Sequence, residues 1–147
     1  MSSQKLDLEK ERERNVSVVR RLIEEGFSKG NLSVVDETIS SDLEEHQRFD
    51  PPLPRGPAGT KALIMGLRSM FPDFTLTIED TTVEGDIVWA RSRARGTNSG
   101  SIMGKPPTGK KMEIDVIDVS KIKDGKIVEH WGVPDQLGML EQLGIVQ

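Results

Sequence analysis

Two carboxylates near the C-terminal end, Asp118 and Asp135, are the side chains whose type and placement best suit proton transfer. Asp124-Gly125 lies between two apolar runs and reads as a two-residue hairpin turn. A type I′ turn there sets Ile122 against Ile127, Ser120 against Glu129 and Asp118 against Trp131. Alternation then collects Ile114, Val116, Asp118, Ile122, Ile127, Trp131 and Val133 on one face. Ile117, Val119, Val128 and His130 fall on the other. A carboxylate in an apolar row is desolvated, which favours its protonated form and brings it toward use as an acid or base near neutrality. The same position also suits a buried acid that is merely hydrogen-bonded at the sheet end. Asp135 follows Gly-Val-Pro and precedes Gln-Leu-Gly-Met-Leu, where its ordinary role is a helix N-cap; a cap at a pocket mouth can also face a ligand.

Other polar candidates carry weaker signals. His46, in Glu-Glu-His before a proline-rich stretch, reads as a surface histidine or a proton shuttle. Arg91, Arg93 and Arg95 alternate along one strand; they read as solvated charges, or as a clamp for an anionic substrate with Arg91 beside Ile87 and Trp89. Phe49, Phe71, Trp89 and Trp131 are the aromatic groups that would line a cavity of aromatic size. The chain has no cysteine, so thiolate ligands, disulfides and cysteine nucleophiles are all excluded. Its two histidines lack metal-ligand spacing, and no glycine-rich phosphate loop is present. Neither a metal nor a nucleotide cofactor is expected.

The elements that must position these groups are readable in outline. At 147 residues the chain is one domain, with 35% hydrophobic and 30% charged residues and a net charge of -4. That balance argues against nucleic acid or an anionic membrane as partner, and a reducing cytoplasm is the expected compartment. Residues 1–13 read as a flexible charged segment, and 14–147 as the folded domain. Val16, Val19, Leu22, Ile23 and Phe27 follow helical spacing; Asn31 caps a second helix carrying Leu32, Val35 and Ile39; Thr60 opens a third. The prolines between His46 and Gly59 make a loop. From Phe74 onward the period becomes two. Helices followed by antiparallel strands predict an α+β domain with helices on one face of a curved sheet. A sheet apolar on its back needs cover, so a homodimer or homotetramer is expected.

GDIVWARSRARGT, GKPPTGKK and DGKIVEHWGVPDQLGMLEQLG together resemble the SnoaL-like polyketide cyclases, within the nuclear transport factor 2 and ketosteroid isomerase fold group. The likeness extends to NVSVVRRLIEEGFSKGNLSVVDETIS, FPDFTLTIED and RGPAGTKAL, and so covers most of the chain from Asn15 to Gly144. It implies a cone: three N-terminal helices close a strongly curved antiparallel sheet around a pocket. It also implies ring closure by intramolecular aldol condensation, without metal or cofactor, through an aspartate near a histidine. By this resemblance Asp135 takes the acidic position after the tryptophan, and His46 matches a histidine that many relatives keep. Where relatives often read Gly-Thr-His this chain has Gly96-Thr97-Asn98. Asn98 can bind substrate through hydrogen bonds but cannot shuttle a proton.

The expected function is therefore a cofactor-independent cyclase or isomerase acting on a small, largely apolar carbonyl compound. Two other readings stay open: a hydrolase or dehydratase built on the same fold, and a non-catalytic small-molecule-binding protein.

Overall fold

The computed structural model describes residues 2–146. Helix α1 (Ser3–Arg21) starts well before the apolar stripe, because Ser2 Oγ accepts the Lys5 backbone N–H at 3.2 Å. The charged segment 3–13 is thus an exposed helical extension. A π-helical turn, Leu22–Phe27, continues α1 and carries Leu22 and Ile23 into the core. Asn31 Oδ1 accepts the Ser33 N–H and opens the short α2 (Ser33–Thr38). Helix α3 (Pro57–Met70) begins on proline, whose fixed φ suits a first helical position.

The sheet contains one strand that periodicity does not reveal. Strand β1 (Ile39–Glu45), read from sequence as the end of a helix and the approach to a loop, pairs parallel with β5. Its sequence, ISSDLEE, buries a single apolar residue, so pairing at a sheet edge creates it rather than an apolar pattern. β2 (Thr75–Glu84), β3 (Ile87–Thr97), β4 (Lys111–Lys123) and β5 (Lys126–Pro134) are antiparallel neighbours in the order β1-β5-β4-β3-β2. The sheet is therefore mixed rather than wholly antiparallel. A fourth helix, α4 (Gln136–Gln142), follows β5, and Leu143 just beyond it is buried in the core.

The β4–β5 hairpin decides what faces inward. Asp124 (φ 52) and Gly125 (φ 76) form the expected turn, and Ile122 pairs with Ile127. Two residues later the register slips. Lys121 pairs with Glu129, which leaves Val128 as an extra, bulged residue. Ser120 now faces His130, Val119 faces Trp131 and Asp118 faces Gly132. A one-residue slip inverts every side chain beyond it. Asp118 and Trp131 are accordingly on opposite faces, and His130 joins Asp118; both placements reverse the expectation from an unbroken hairpin.

The inner face carries Val88, Ala90, Ser92 and Ala94 from β3 and Met112, Ile114, Asp118 and Ser120 from β4. Val19, Ile23, Val35 and Ile64 from the helices cover it. Phe71, fully buried, packs against the bare Gly96, where an added Cβ would lie 2.8 Å from the Phe71 Cβ. Gly96→Ala should therefore lower unfolding stability by about 1–3 kcal/mol, the usual cost of overpacking, read as a lower urea midpoint at unchanged slope.

Candidate active site

His130 sits on the inner face of β5 between two carboxylates. Its Nε2 lies 2.7 Å from Asp118 Oδ1 on β4, and its Nδ1 lies 2.7 Å from Glu45 Oε1 on β1. The pairing of Glu45 with His130, and of Asp118 with Gly132 beside it, brings the three side chains together from three adjacent strands. With an acceptor at each ring nitrogen, both N–H groups donate, which is the arrangement of an imidazolium. Burial pushes the His130 imidazole down, but hydrogen bonds and charge from Asp118 and Glu45 outweigh it and raise it to about 9. His130 is thus a fixed cation at neutral pH.

Asp118 is 15% exposed, sheltered yet still reachable. His130 engages only its Oδ1; among the described residues Oδ2 accepts no hydrogen bond. Gly132 leaves a gap opposite Asp118 that Gln47 fills: a Cβ there would lie 2.0 Å from Gln47 Oε1 and 2.9 Å from His130 Cε1. The Gln47 amide has no protein hydrogen bond among the described residues. The arrangement offers a carboxylate with a free oxygen, a neighbouring fixed positive charge and an uncommitted amide.

The remaining sequence candidates lie elsewhere. Asp135 is exposed and is the N-cap of α4, its Oδ1 accepting the Gly138 N–H at 3.0 Å. Its partner Asp115 lies three positions along β4 from Asp118, a distance of roughly 10 Å. His46 is on the outer face, stacked on Trp131 with ring centroids 4.6 Å apart and its Nε2 2.9 Å from Glu129. The single-residue alternation along β1 and its extension explains this: Glu45 and Gln47 turn inward, His46 outward. Glu44, His46 and Glu129 place donor atoms within 4.8 Å of one another, and the His46–Glu129 hydrogen bond accounts for that grouping.

The proposed substrate contacts are dispersed as well. Arg91 is on the outer face, paired with Asp80 at 2.5 Å. Trp89 and Trp131 are exposed on that same face, because the strand pairing that puts Ala90 and Asp118 inside turns them out. Phe71 belongs to the core and Phe49 is half-buried in the proline loop. Asn98 is fully buried and its amide is spent within its own loop: Nδ2 donates to the Met70 and Gly100 carbonyls, and Oδ1 accepts from Thr108 N and Oγ1. A broad open groove of about 660 Å³ runs past Arg93, Arg95, Lys111 and Glu113 on the outer side. It includes neither Asp118 nor His130, and Glu113 pairs with both of its arginines.

Sequence reasoning missed Glu45, Gln47 and the inward turn of His130. The alternation of Glu45, His46 and Gln47 was available as a signal, but only once β1 is known to be a strand. The bulge at Val128 has no comparable signature in the residues.

Comparison with known proteins agrees with this architecture. The model of the SnoaL-like polyketide cyclase family matches residues 17–143. Aklanonic acid methyl ester cyclase DnrD of Streptomyces peucetius is 30% identical over 132 residues, covering 88% of this chain and 90% of that protein. Nogalonic acid methyl ester cyclase of Streptomyces nogalater is 28% identical over 120 residues, covering 80% and 89%. Among solved structures, TsrD from Streptomyces laurentii superposes with a TM-score of 0.83 at 29% identity, covering 92% of this chain and 98% of its own. IdmH from Streptomyces antibioticus gives 0.77 at 36% identity, covering 88% and 98%.

The His130 cluster makes stability depend on pH with a definite sign. A folded-state value raised above the unfolded one adds stability that is complete below pH 6.5 and is lost as pH rises through about 9. The loss across that window should be on the order of 3 kcal/mol. Urea unfolding followed from pH 6.5 to above pH 9 should show a falling midpoint in the wild type and a nearly flat one in His130→Gln.

Proposed function

The chain belongs to the SnoaL-like polyketide cyclase family, and from that premise we propose that it closes a ring in a small, largely apolar ketone by intramolecular aldol addition, with Asp118 as acid/base. The observation that carries the reading is the 2.7 Å contact of Asp118 Oδ1 with a half-buried imidazolium, which leaves Oδ2 free. In this reading Asp118 takes a proton from the carbon beside a carbonyl, and the electron pair moves onto that carbonyl oxygen. The enolate carbon then attacks a second carbonyl of the same molecule, and Asp118 returns the proton to the new alkoxide. His130 keeps its own proton throughout and offsets negative charge as it develops. Every bond change is served by side chains, so neither metal nor nucleotide is required. A cytoplasmic location goes with this reading on the composition of the chain.

Asp135 and His46 have other roles in this proposal: a helix cap, and part of the outer aromatic surface. The compounds named for the relatives, aklanonic and nogalonic acid methyl esters, are the first substrates to assay. Asp118→Asn should cut turnover by about 10²–10⁴-fold, the scale for a positioned acid/base, while Asp135→Asn should leave it within a few-fold. The reverse ranking would return the acid/base role to Asp135. Ester binding without turnover would favour a non-catalytic carrier, and a hydrated or dehydrated product would favour the hydrolase or dehydratase reading.

We also infer a homodimer, or a homotetramer built from it, that covers the outer sheet face. Trp89, Trp131 and Val133 are 49%, 37% and 66% exposed there, with Ile117 and Val119 half-buried between them. The pairing Arg91–Asp80 and the cluster of Arg93 with Glu113 and Asp115 put both signs of charge on one face, as a self-complementary contact needs. Sedimentation should show a dimer or tetramer that Trp89→Glu converts toward monomer. A wild-type monomer at high concentration would overturn the assignment.

A further inference from the structure

The inner face of β3 is a row of small side chains under the helices. Ala90, Ser92 and Ala94 are each 2% exposed or less. Ser92 differs from its neighbours by one atom, and that atom is out of place for a packed core: its Oγ is buried with no hydrogen-bond partner among the described residues. Buried hydroxyl groups ordinarily find a partner, because leaving one unpaired forfeits its hydration without return. Thr38 Oγ1 donates to the Val34 carbonyl, and the Asn98 amide is fully engaged. Arg93 Nε, the other unpartnered buried atom, lies 3.2 Å from the Asp115 carboxylate. Ser92 Oγ has no such neighbour, although alanine serves at the two flanking inner positions.

Its location gives the hydroxyl a use. Ala90 pairs with Asp118 and Ser92 pairs with Val116, so Ser92 and Asp118 are diagonal neighbours on the inner face. Such neighbours have Cβ atoms about 7–8 Å apart, and the Ala90 methyl on β3 and the Val116 side chain on β4 flank that path. A ketone with an acidic α-hydrogen fits a span of this size. The α-carbon stands ~3 Å from the base oxygen, the carbonyl oxygen ~2.4 Å beyond it, and a hydroxyl donor ~2.8 Å further.

We propose that Ser92 is a substrate-binding residue whose Oγ–H donates to the carbonyl oxygen of an enolisable ketone, while Asp118 Oδ2 faces the adjacent α C–H. The C–H bond breaks, its proton goes to Asp118 and its electron pair moves onto the oxygen that Ser92 holds. The hydrogen bond strengthens as that oxygen becomes an enolate, so Ser92 acts mainly on the transition state. The unpaired, buried hydroxyl is then a preformed donor. This inference rests on the aldol reading of Asp118.

The test is Ser92→Ala, run beside Asp118→Asn on the purified full chain with aklanonic acid methyl ester as the probe. Ligand-free Ser92→Ala should unfold at the same or a higher urea concentration than the wild type. Its kcat should fall about 10²–10³-fold with little change in KM, the scale for removing one oxyanion donor. A clearly lower urea midpoint would show the hydroxyl satisfied inside the fold and overturn the proposal. Wild-type turnover by Ser92→Ala with loss in Asp118→Asn would overturn it alone and leave the aldol reading intact. If the ester binds without turnover, the rise in thermal midpoint it causes should shrink in Ser92→Ala, and an equal rise would overturn the proposal. A wild type that neither turns over nor is stabilised by the ester overturns both readings together.

Discussion

The imidazolium of His130 holds together two carboxylates that would otherwise repel each other across three adjacent strands. Asp118 and Glu45 come from β4 and β1, and β5, which carries His130, lies between those strands. Asp118 is sheltered and Glu45 more exposed, and each accepts a charge-assisted hydrogen bond from the ring between them. The same ring attaches β1 to the sheet at the end where its sequence offers least. Ile39 is the only buried residue of β1, and the strand's other end is fixed by Glu45 and by the His46 N–H donating to the His130 carbonyl. One residue thus serves as a strand clasp and as the centre of the candidate site.

That cluster exists because of a single extra residue. An unbroken hairpin from Asp124-Gly125 would send His130 outward and bring Trp131 against Asp118. The bulge at Val128 restores His130 to the inner face and gives Trp131 to the outer one. The consequences divide the sheet cleanly. Inside are the His130 cluster, the small row of β3 and the apolar core. Outside are both tryptophans and the arginine stripe with its acidic partners. The two faces of the same strands thus differ in character, and a substitution on one need not disturb the other.

Much of this was legible from residues whose local physics decides their structure. The helical stripe around Val19 and Ile23, the turn at Asp124-Gly125 and the alternation of β2 to β4 each follow from short-range rules. Asp118 stands out in the sequence because a charged residue in an apolar row is rare. What stayed hidden depends on distant partners. β1 has no apolar alternation and becomes a strand only by pairing with β5, more than 80 residues away. The bulge is a property of how two strands twist together, so the register beyond Val128 could not be read from either strand alone. Asn98 and Phe71 had the right chemistry for a pocket, but tertiary packing places both inside the loop and core.

The two histidines show how little residue type alone decides. Each meets a glutamate within 2.9 Å, yet their surroundings differ. His46 lies at the surface, about a third exposed, where water and salt screen its pairing with Glu129. His130 is shielded and meets two acids, so its charge is locked and its field falls on Asp118 with little screening. A locked cation cannot carry protons back and forth near neutrality; it can only hold a carboxylate in place and oppose negative charge nearby. In the proposed reaction, proton movement falls to the one oxygen of the cluster's inner carboxylate that His130 leaves free, Asp118 Oδ2, and the donor opposite it comes from groups that the fold has not already committed. On the inner face, the amide of Gln47 and the hydroxyls of Ser92 and Ser120 make no hydrogen bond among the described residues, and all three lie close to that carboxylate.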